Sequence, residues 1–235
     1  MQVQWWRASL TEEKSRITAG TGMGTVSENT PAGRPPGNAP AIDPPPMVMG
    51  DVAGHDVQAA SRMSELRNML RALAVDRPDE SPGQILRRLD TAQARLTLAD
   101  SATAILARLH QTADGAWQAS WSVAGLPPLL ITADGNASYL TGGHAMLLGL
   151  RPTLERPTTQ SSLPDGATLL RYTDGLVESR TRSLDDGVTR LRQHATTHRH
   201  LPLHRLCAEL ARDSGDTRDD ITLIAVRTPI RPQFG

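Results

Sequence analysis

SATAILARLHQTADGAWQASWSVAGLPPLLITADGNASYLT, residues 101–141, carries the reading that decides the fold. Apolar and polar residues alternate through SATAILARLH at 101–110, AWQASWSVAG at 116–125, PLLIT at 128–132 and ASYLT at 137–141. Period-two alternation in short runs is the signature of strands half-buried on a sheet. Asp114-Gly115 and Asp134-Gly135 sit between these runs, where a tight hairpin requires residues that tolerate positive φ. Successive hairpins predict antiparallel sheet.

Upstream, the apolar run Pro46-Met47-Val48-Met49 reads as a strand ending at Gly50-Asp51. VQAASRMSELRNMLRALAV at 57–75 then places Met63, Leu66, Leu70 and Leu73 at helical spacing, with Asp56 as the expected N-cap. Ser81 and Pro82 have N-cap and N1 chemistry and open a second helix with Ile85, Leu86, Leu89 and Leu96 on one stripe. Downstream, ATLLRYTDG at 167–175 is a strand, helices are expected over 185–198 and 202–212, and DITLIAVR at 220–227 closes the pattern with a strand. Adjacent hairpins with helices grouped in pairs predict a layered α+β fold rather than βαβ repeats.

The ends differ from this middle. Residues 1–46 hold twelve Gly or Pro and no sustained periodicity, and prolines in the run 30–46 remove donors and fix φ. The expected organisation is a disordered Pro- and Gly-rich leader over 1–46, a domain over 47–227 and a tail over 228–235. Twenty-five basic residues balance 25 acidic ones, which removes the bulk attraction that duplex nucleic acid or an anionic membrane rewards. All the basic residues but Lys14 are arginine, a compositional bias that by itself points to no ligand. No apolar run reaches the length of a membrane span, and the N-terminus lacks a signal-peptide core. One cysteine, Cys207, excludes a disulfide framework and a cysteine-based zinc site. The expected setting is cytoplasmic, with neither nucleic acid nor membrane as partner.

Acidic residues fall at strand ends: Asp51 after MVMG, Asp174 after LLRYT, and Asp219 and Asp220 before the last strand. Strand ends line one rim of a sheet, so acids distant in sequence can converge there. Converging carboxylates repel one another unless a divalent cation sits among them, and oxygen-only donors favour Mg²⁺ or Mn²⁺. For any one of these aspartates, capping a turn is the commoner role.

Three stretches, GDVAGHDVQAA at 50–60, LLRYTDGLVESR at 169–180 and RDDITLIAVR at 218–227, occur in one order with TADGNASYLTGGHAMLLGL at 132–150 among them. Together they resemble the SpoIIE-like (RsbU-like) branch of the PPM, or PP2C-type, protein serine/threonine phosphatases. The resemblance implies an α-β-β-α sandwich of two antiparallel sheets flanked by helices, with a site for two divalent metal ions, Mn²⁺ or Mg²⁺, at one rim. Asp51 would bridge both metals and the carbonyl of Val52 would complete one site. Asp174 and Asp219 would hold the other ion, with Asp220 as a further or alternate ligand. The catalytic set is thus Asp51, Asp174 and Asp219. The implied substrate is phosphoserine or phosphothreonine on a regulatory protein such as a STAS-type anti-sigma-factor antagonist. Glu178 and Arg180 repeat the family's motif as local scaffold.

Two stretches depart from the family's pattern. A Gly-Gly-Asp-Trp-Tyr-Asp-like segment is expected before GDV and none occurs in 1–46, which predicts a domain lacking its first strand pair. SVAGLPPLL at 122–130 carries Val123 and Leu126 where the family has Asn and His. The alternative reading is therefore a degenerate phosphatase that binds a phosphorylated partner without turnover. Cys207 is expected in the core, His55 at a helix start in a structural role, and His194, His198, His200 and His204 on a charged helix face.

Overall fold

A computed structural model describes residues 2–8, 17–18, 47–52, 57–96, 101–179, 183–213 and 221–231, with the side chains of 2–8, 17–18, 51–52, 57–58 and 60 outside the description. In chain order the elements are β1 (Gln2–Ala8), β2 (Ile17–Thr18), β3 (Met47–Val52), α1 (Val57–Asp76) and α2 (Pro82–Arg95). The hairpins follow as β4 (Ala102–Gln111), β5 (Trp117–Ala124), β6 (Leu129–Ile131) and β7 (Ala137–Tyr139), then β8 (His144–Ala145), β9 (Thr159–Leu163) and β10 (Thr168–Tyr172). A 3₁₀ turn at Asp174–Leu176, helices α3 (Leu184–Thr197) and α4 (Leu203–Asp213), and β11 (Ile221–Arg227) complete the chain.

One sheet runs β2-β1-β11-β10-β6-β7 and the other β3-β4-β5-β8, with β9 also on β5. All pairings are antiparallel except the two-residue contact of β5 with β8. The Asp-Gly turns are hairpins, closed by Thr112 donating to Ala116 at 2.9 Å and Thr132 donating to Asn136 at 2.8 Å.

Three apolar layers account for the stacking. Leu66, Leu70 and Ala74 of α1 and Ile85, Leu86 and Leu89 of α2 cover Ala104, Leu106 and Ala124 on the outer face of the β4–β5 sheet. Met49, Ile105, Trp121, Val123, Leu130, Leu169 and Val226 fill the space between the sheets. Leu191, Leu206, Cys207 and Leu210 of α3 and α4 cover Leu129, Leu170, Tyr172 and Leu223 on the outer face of the β10–β11 sheet. The result is the helix–sheet–sheet–helix sandwich expected. On the sheet side of the α1–α2 layer alanines predominate (Ala102, Ala104 and Ala124), so the large helix side chains can reach the strands closely.

Helix α2 begins as its sequence dictates. Ser81 accepts from Gln84 N while the Gln84 side chain accepts from Ser81 N, a reciprocal capping box, with Pro82 at the first helical position. Its apolar stripe ends sooner than expected: Leu96 is the C-cap and is 61% exposed. Asp56, the expected cap of α1, lies outside the described residues, as does His55.

Some differences concern the ends. Residues 2–8 and 17–18, assigned to a disordered leader by sequence, are strands here, with β1 paired to β11 from Gln2↔Arg227 to Ala8↔Ile221. The remainder of 1–46 lies outside the described residues. Thr228, placed in the tail by sequence, is buried, and its hydroxyl donates to Pro164 O at 2.6 Å. Strands β8 and β9 are too short or too polar to show an apolar alternation in the sequence. Among the described residues no helix is long and apolar enough to cross a membrane.

Gly187, in the first turn of α3, stands where a Cβ would lie 1.8 Å from Val177 O. Helix α3 therefore docks backbone-to-backbone on the exit of the 3₁₀ turn that carries Asp174. Gly187→Ala is expected to cost about 3 kcal/mol, the upper end of the usual range for a forced clash with backbone displacement. Urea unfolding checks this, and an unchanged midpoint would show that the helix can slide without loss.

Candidate active site at the rim of the sandwich

Asp51 and Val52 are the last two residues of β3, paired with Thr103 and Ala102 of β4. Ala102 also forms an antiparallel bridge with Leu148, donating to Leu148 O at 3.2 Å and accepting from Leu148 N at 2.9 Å. The glycine-rich segment after β7 thus comes to the same end of the sheet as Val52. Asp174 opens the 3₁₀ turn just past β10, half-buried, and its Oδ1 accepts from Gly175 N at 3.0 Å. Thr173 N donates to Thr222 O at 3.1 Å, and Thr222 N donates to the Thr173 hydroxyl at 2.9 Å, so the start of β11 is fixed beside Asp174. Asp219 and Asp220 immediately precede that start but lie outside the described residues.

The two strand ends belong to different sheets, and the β5–β6 connection joins them. Chain 125–128 leaves β5 in one sheet and enters β6 in the other. At its first residue a Cβ on Gly125 would lie 2.9 Å from Cγ2 of Thr103, the residue opposite Asp51; glycine has no Cβ to make that contact and accepts the φ of +111° found there. At its second residue Leu126 O accepts from Arg171 Nη1, three residues before Asp174. The ends of β3 and β10 therefore sit on one rim. Among the described residues no group of three His, Cys, Asp or Glu side chains gathers to hold a metal; the Asp51 side chain, Asp219 and Asp220 lie outside them.

This arrangement fits hard divalent cations. The Asp174 carboxylate supplies an oxygen donor with one oxygen held by a main-chain N–H, and the neighbouring strand end carries a second aspartate and a carbonyl. Among these side chains and backbone groups there is no soft donor.

Arg171 is the group the sequence reading passed over. It alternates with Leu169 on β10 and pairs with Ile224, so it faces the layer between the sheets, and it is 2% exposed. Burial pushes its guanidinium down to about 10, against the pull of Tyr172 and the Asp174 carboxylate. Its Cζ lies 6.0 Å from the Tyr172 ring centroid, and its Nε has no hydrogen-bond partner. The available signal was a lone cation in the apolar run ATLLRYT, with no acid two residues away.

Val123 and Leu126, the positions departing from the resemblance, take different places. Val123 is fully buried between the sheets, whereas Leu126 is half-buried, with its side chain packed toward the α3–α4 layer. Cys207 is buried in that same layer as expected, and burial pushes its thiol up to about 12. A maleimide or disulfide reagent at pH 8 is expected to label it only as the chain unfolds. Stoichiometric labelling of the native protein within minutes would contradict that burial.

The histidines do not all lie on a solvated face. His194 is half-buried against α4, its Nδ1 3.1 Å from Asp213 Oδ2, and its ring meets His198 edge-on with centroids 4.4 Å apart. Arg190 holds the same carboxylate, with Nε 2.7 Å from Oδ2. His200 and His204 are exposed, as predicted.

Residues 46–229 match the family described as Stage II sporulation protein E (SpoIIE). The fold is similar to the RsbU and RsbW domains of Rv1364c from Mycobacterium tuberculosis, with 32% identity and a TM-score of 0.69, over 80% of this chain and 52% of that one. The chain thus spans about half the length of that structure. It is similar also to the SiaA-PP2C domain of Pseudomonas aeruginosa, with 22% identity and a TM-score of 0.61, over 77% of this chain and 75% of that one. A third likeness is to the PP2C phosphatase domain and a regulatory-domain fragment of SpoIIE from Bacillus subtilis, with 14% identity and a TM-score of 0.60, over 80% and 55% of the two chains.

Proposed function

The match over residues 46–229 covers most of the chain, so the protein belongs to the SpoIIE family, and from that membership we propose that it is a metal-dependent protein serine/threonine phosphatase. The observation that supports this reading is the course of the β5–β6 connection, which sets Gly125 beside Thr103, the residue opposite Asp51, and bonds Leu126 O to Arg171, three residues before Asp174. Asp51, Asp174 and Asp219, with the Val52 carbonyl and Asp220, are the proposed holders of two Mn²⁺ or Mg²⁺ ions. Bound there, the ions would activate a water and offset charge on the phosphoryl oxygens. The chain's own part is positional. Gly175 N–H orients the Asp174 carboxylate, and the Thr173–Thr222 pair fixes the turn that presents it.

The proposed substrate is a phosphoserine or phosphothreonine protein in the cytoplasm, of the class of STAS-type anti-sigma-factor antagonists. The similar Mycobacterium tuberculosis structure joins an RsbU domain to an RsbW domain, which supports a partner from that kind of switch. Hydrolysis of a phosphate-ester reporter by the purified protein in Mn²⁺ tests the activity.

The apolar Val123 and Leu126 favour a second reading, a domain that binds a phosphorylated partner without turnover. Calorimetric titration separates the two. Absence of Mn²⁺ affinity with partner binding retained selects the second, and Mn²⁺ affinity with turnover selects the first.

A further inference from the structure

We propose that Arg171 is a phosphate-binding residue of the rim, its guanidinium edge donating to the phosphoryl oxygens of a phosphomonoester beside Asp174. The proposal rests on the phosphatase reading of the same site and adds a group that reading does not use.

The first observation is an unsatisfied cation. Arg171 is 2% exposed, yet its one hydrogen bond goes from Nη1 to the carbonyl of Leu126, and Nε is buried without a partner. An arginine in an apolar layer normally forms a close ion pair, because leaving a buried charge uncompensated is strongly destabilising. The buried Asp90–Arg156 pair elsewhere in this fold obeys that rule. Among the described residues Arg171 forms no ion pair within 4 Å.

The second observation is direction and depth. Arg171 faces the space between the sheets, and the residues around it at the lip, Gly125, Leu126, Pro127 and Asp174, are half-buried rather than sealed. With Nη1 committed to Leu126 O, the edge bearing the buried Nε is the one left without a partner, and its planar geometry suits two phosphoryl oxygens.

The third is what occupies the loop. Leu126 contributes an apolar side chain directed to the α3–α4 layer, so at the inner side of the lip it offers only its carbonyl, and that carbonyl holds the guanidinium in place. Positive charge at the rim is then supplied from β10, three residues from Asp174, instead of from the β5–β6 connection.

Calorimetry of inorganic phosphate with the full chain, in the presence and absence of Mn²⁺, tests this on wild type, Arg171→Leu and Arg171→Lys, with urea unfolding of each. Leucine matches the apolar neighbours Leu169 and Leu130. Phosphate is expected to bind Arg171→Leu about ten- to a hundredfold more weakly, the effect of losing charge-assisted bonds to an ion. Its urea midpoint is expected to equal or exceed that of wild type, because an unpaired buried charge is gone. Arg171→Lys keeps the charge without the planar fork and is expected to bind several-fold more weakly than wild type. It serves as the comparison should the leucine variant fail to fold.

Equal phosphate affinity in wild type and a folded variant overturns the proposal, as does wild type that binds no phosphate in either condition. Phosphate affinity that depends on Arg171 in a protein without turnover supports Arg171 and removes the enzymatic reading. Turnover with phosphate affinity indifferent to Arg171 does the reverse.

Discussion

Asp174→Asn is expected to lower Mn²⁺-dependent hydrolysis of a phosphate-ester reporter by at least a hundredfold while leaving the fold intact. The substitution keeps the shape of the side chain and an oxygen able to accept from Gly175 N, so the 3₁₀ turn loses no packing. What it removes is one negative charge from a set of oxygens that must hold divalent cations against water. A hundredfold loss corresponds to about 2.7 kcal/mol of transition-state stabilisation, and metal ions supply several kcal/mol in phosphoryl transfer. Steady-state rates across a Mn²⁺ titration, with circular dichroism confirming the fold, provide the check. If variant and wild type turn over equally, Asp174 is not a ligand and the proposed site is misplaced.

The second large effect lies away from the rim. Asp90 of α2 and Arg156 are both fully buried, with Nη2 2.6 Å from Oδ2. Asp90 Oδ1 also accepts from Gly149 N at 2.7 Å, and Arg156 donates to Met146 O at 2.8 Å and Leu147 O at 3.3 Å. The pair therefore clamps segment 146–149 to the helix, and Leu148 of that segment bridges to Ala102, which is paired with Val52. Asp90→Ala is expected to destabilise by about 3–5 kcal/mol, since it strands a buried guanidinium. For a chain of this length that is about a 10 °C fall in Tm.

Replacing both by leucine should recover only part of the loss. The desolvated charges are gone, but Gly149 N–H and the two carbonyls are left without partners. Calorimetric melting of the single and double variants measures both effects. A drop in Tm below about 3 °C for Asp90→Ala would mean that the segment finds other partners.

Much of this fold is legible in the sequence because its strongest signals are local. The Asp-Gly turns at 114–115 and 134–135, the Ser81–Gln84 capping box, the period-two runs of β4, β5 and β11 and the short apolar run of β10 each specify an element within a few residues. Strand β1 was not legible. Its sequence QVQWWRA is too short and mixed to separate from the Gly- and Pro-rich stretch that follows, and its partner, β11, lies more than 200 residues away. Tertiary pairing decides such a strand, not local preference.

The candidate site divides in the same way. Asp51 and Asp174 were legible as acids at strand ends, and the structure has them at the ends of β3 and β10, with Asp219 and Asp220 outside the described residues. Arg171 was not. Its meaning depends on which face of β10 it occupies and on the carbonyl of Leu126, 45 residues away in the chain. The histidines misled for a related reason: helical spacing groups His194 with His198, but whether that face is wet depends on where α4 packs.

Strand β3 has, among the described residues, one hydrogen-bonded neighbour, whereas β10 is held between β6 and β11. The two halves of the rim thus differ in how often they open. Amides of β10 can exchange with solvent only when the sheet as a whole comes apart, while the end of β3 can peel from β4 at far smaller cost. Asp174 stands on the anchored side and Asp51 on the side that breathes. Any ligand that spans both draws part of its binding free energy from suppressing that local opening, so occupancy of the rim and protection of the β3 amides rise together.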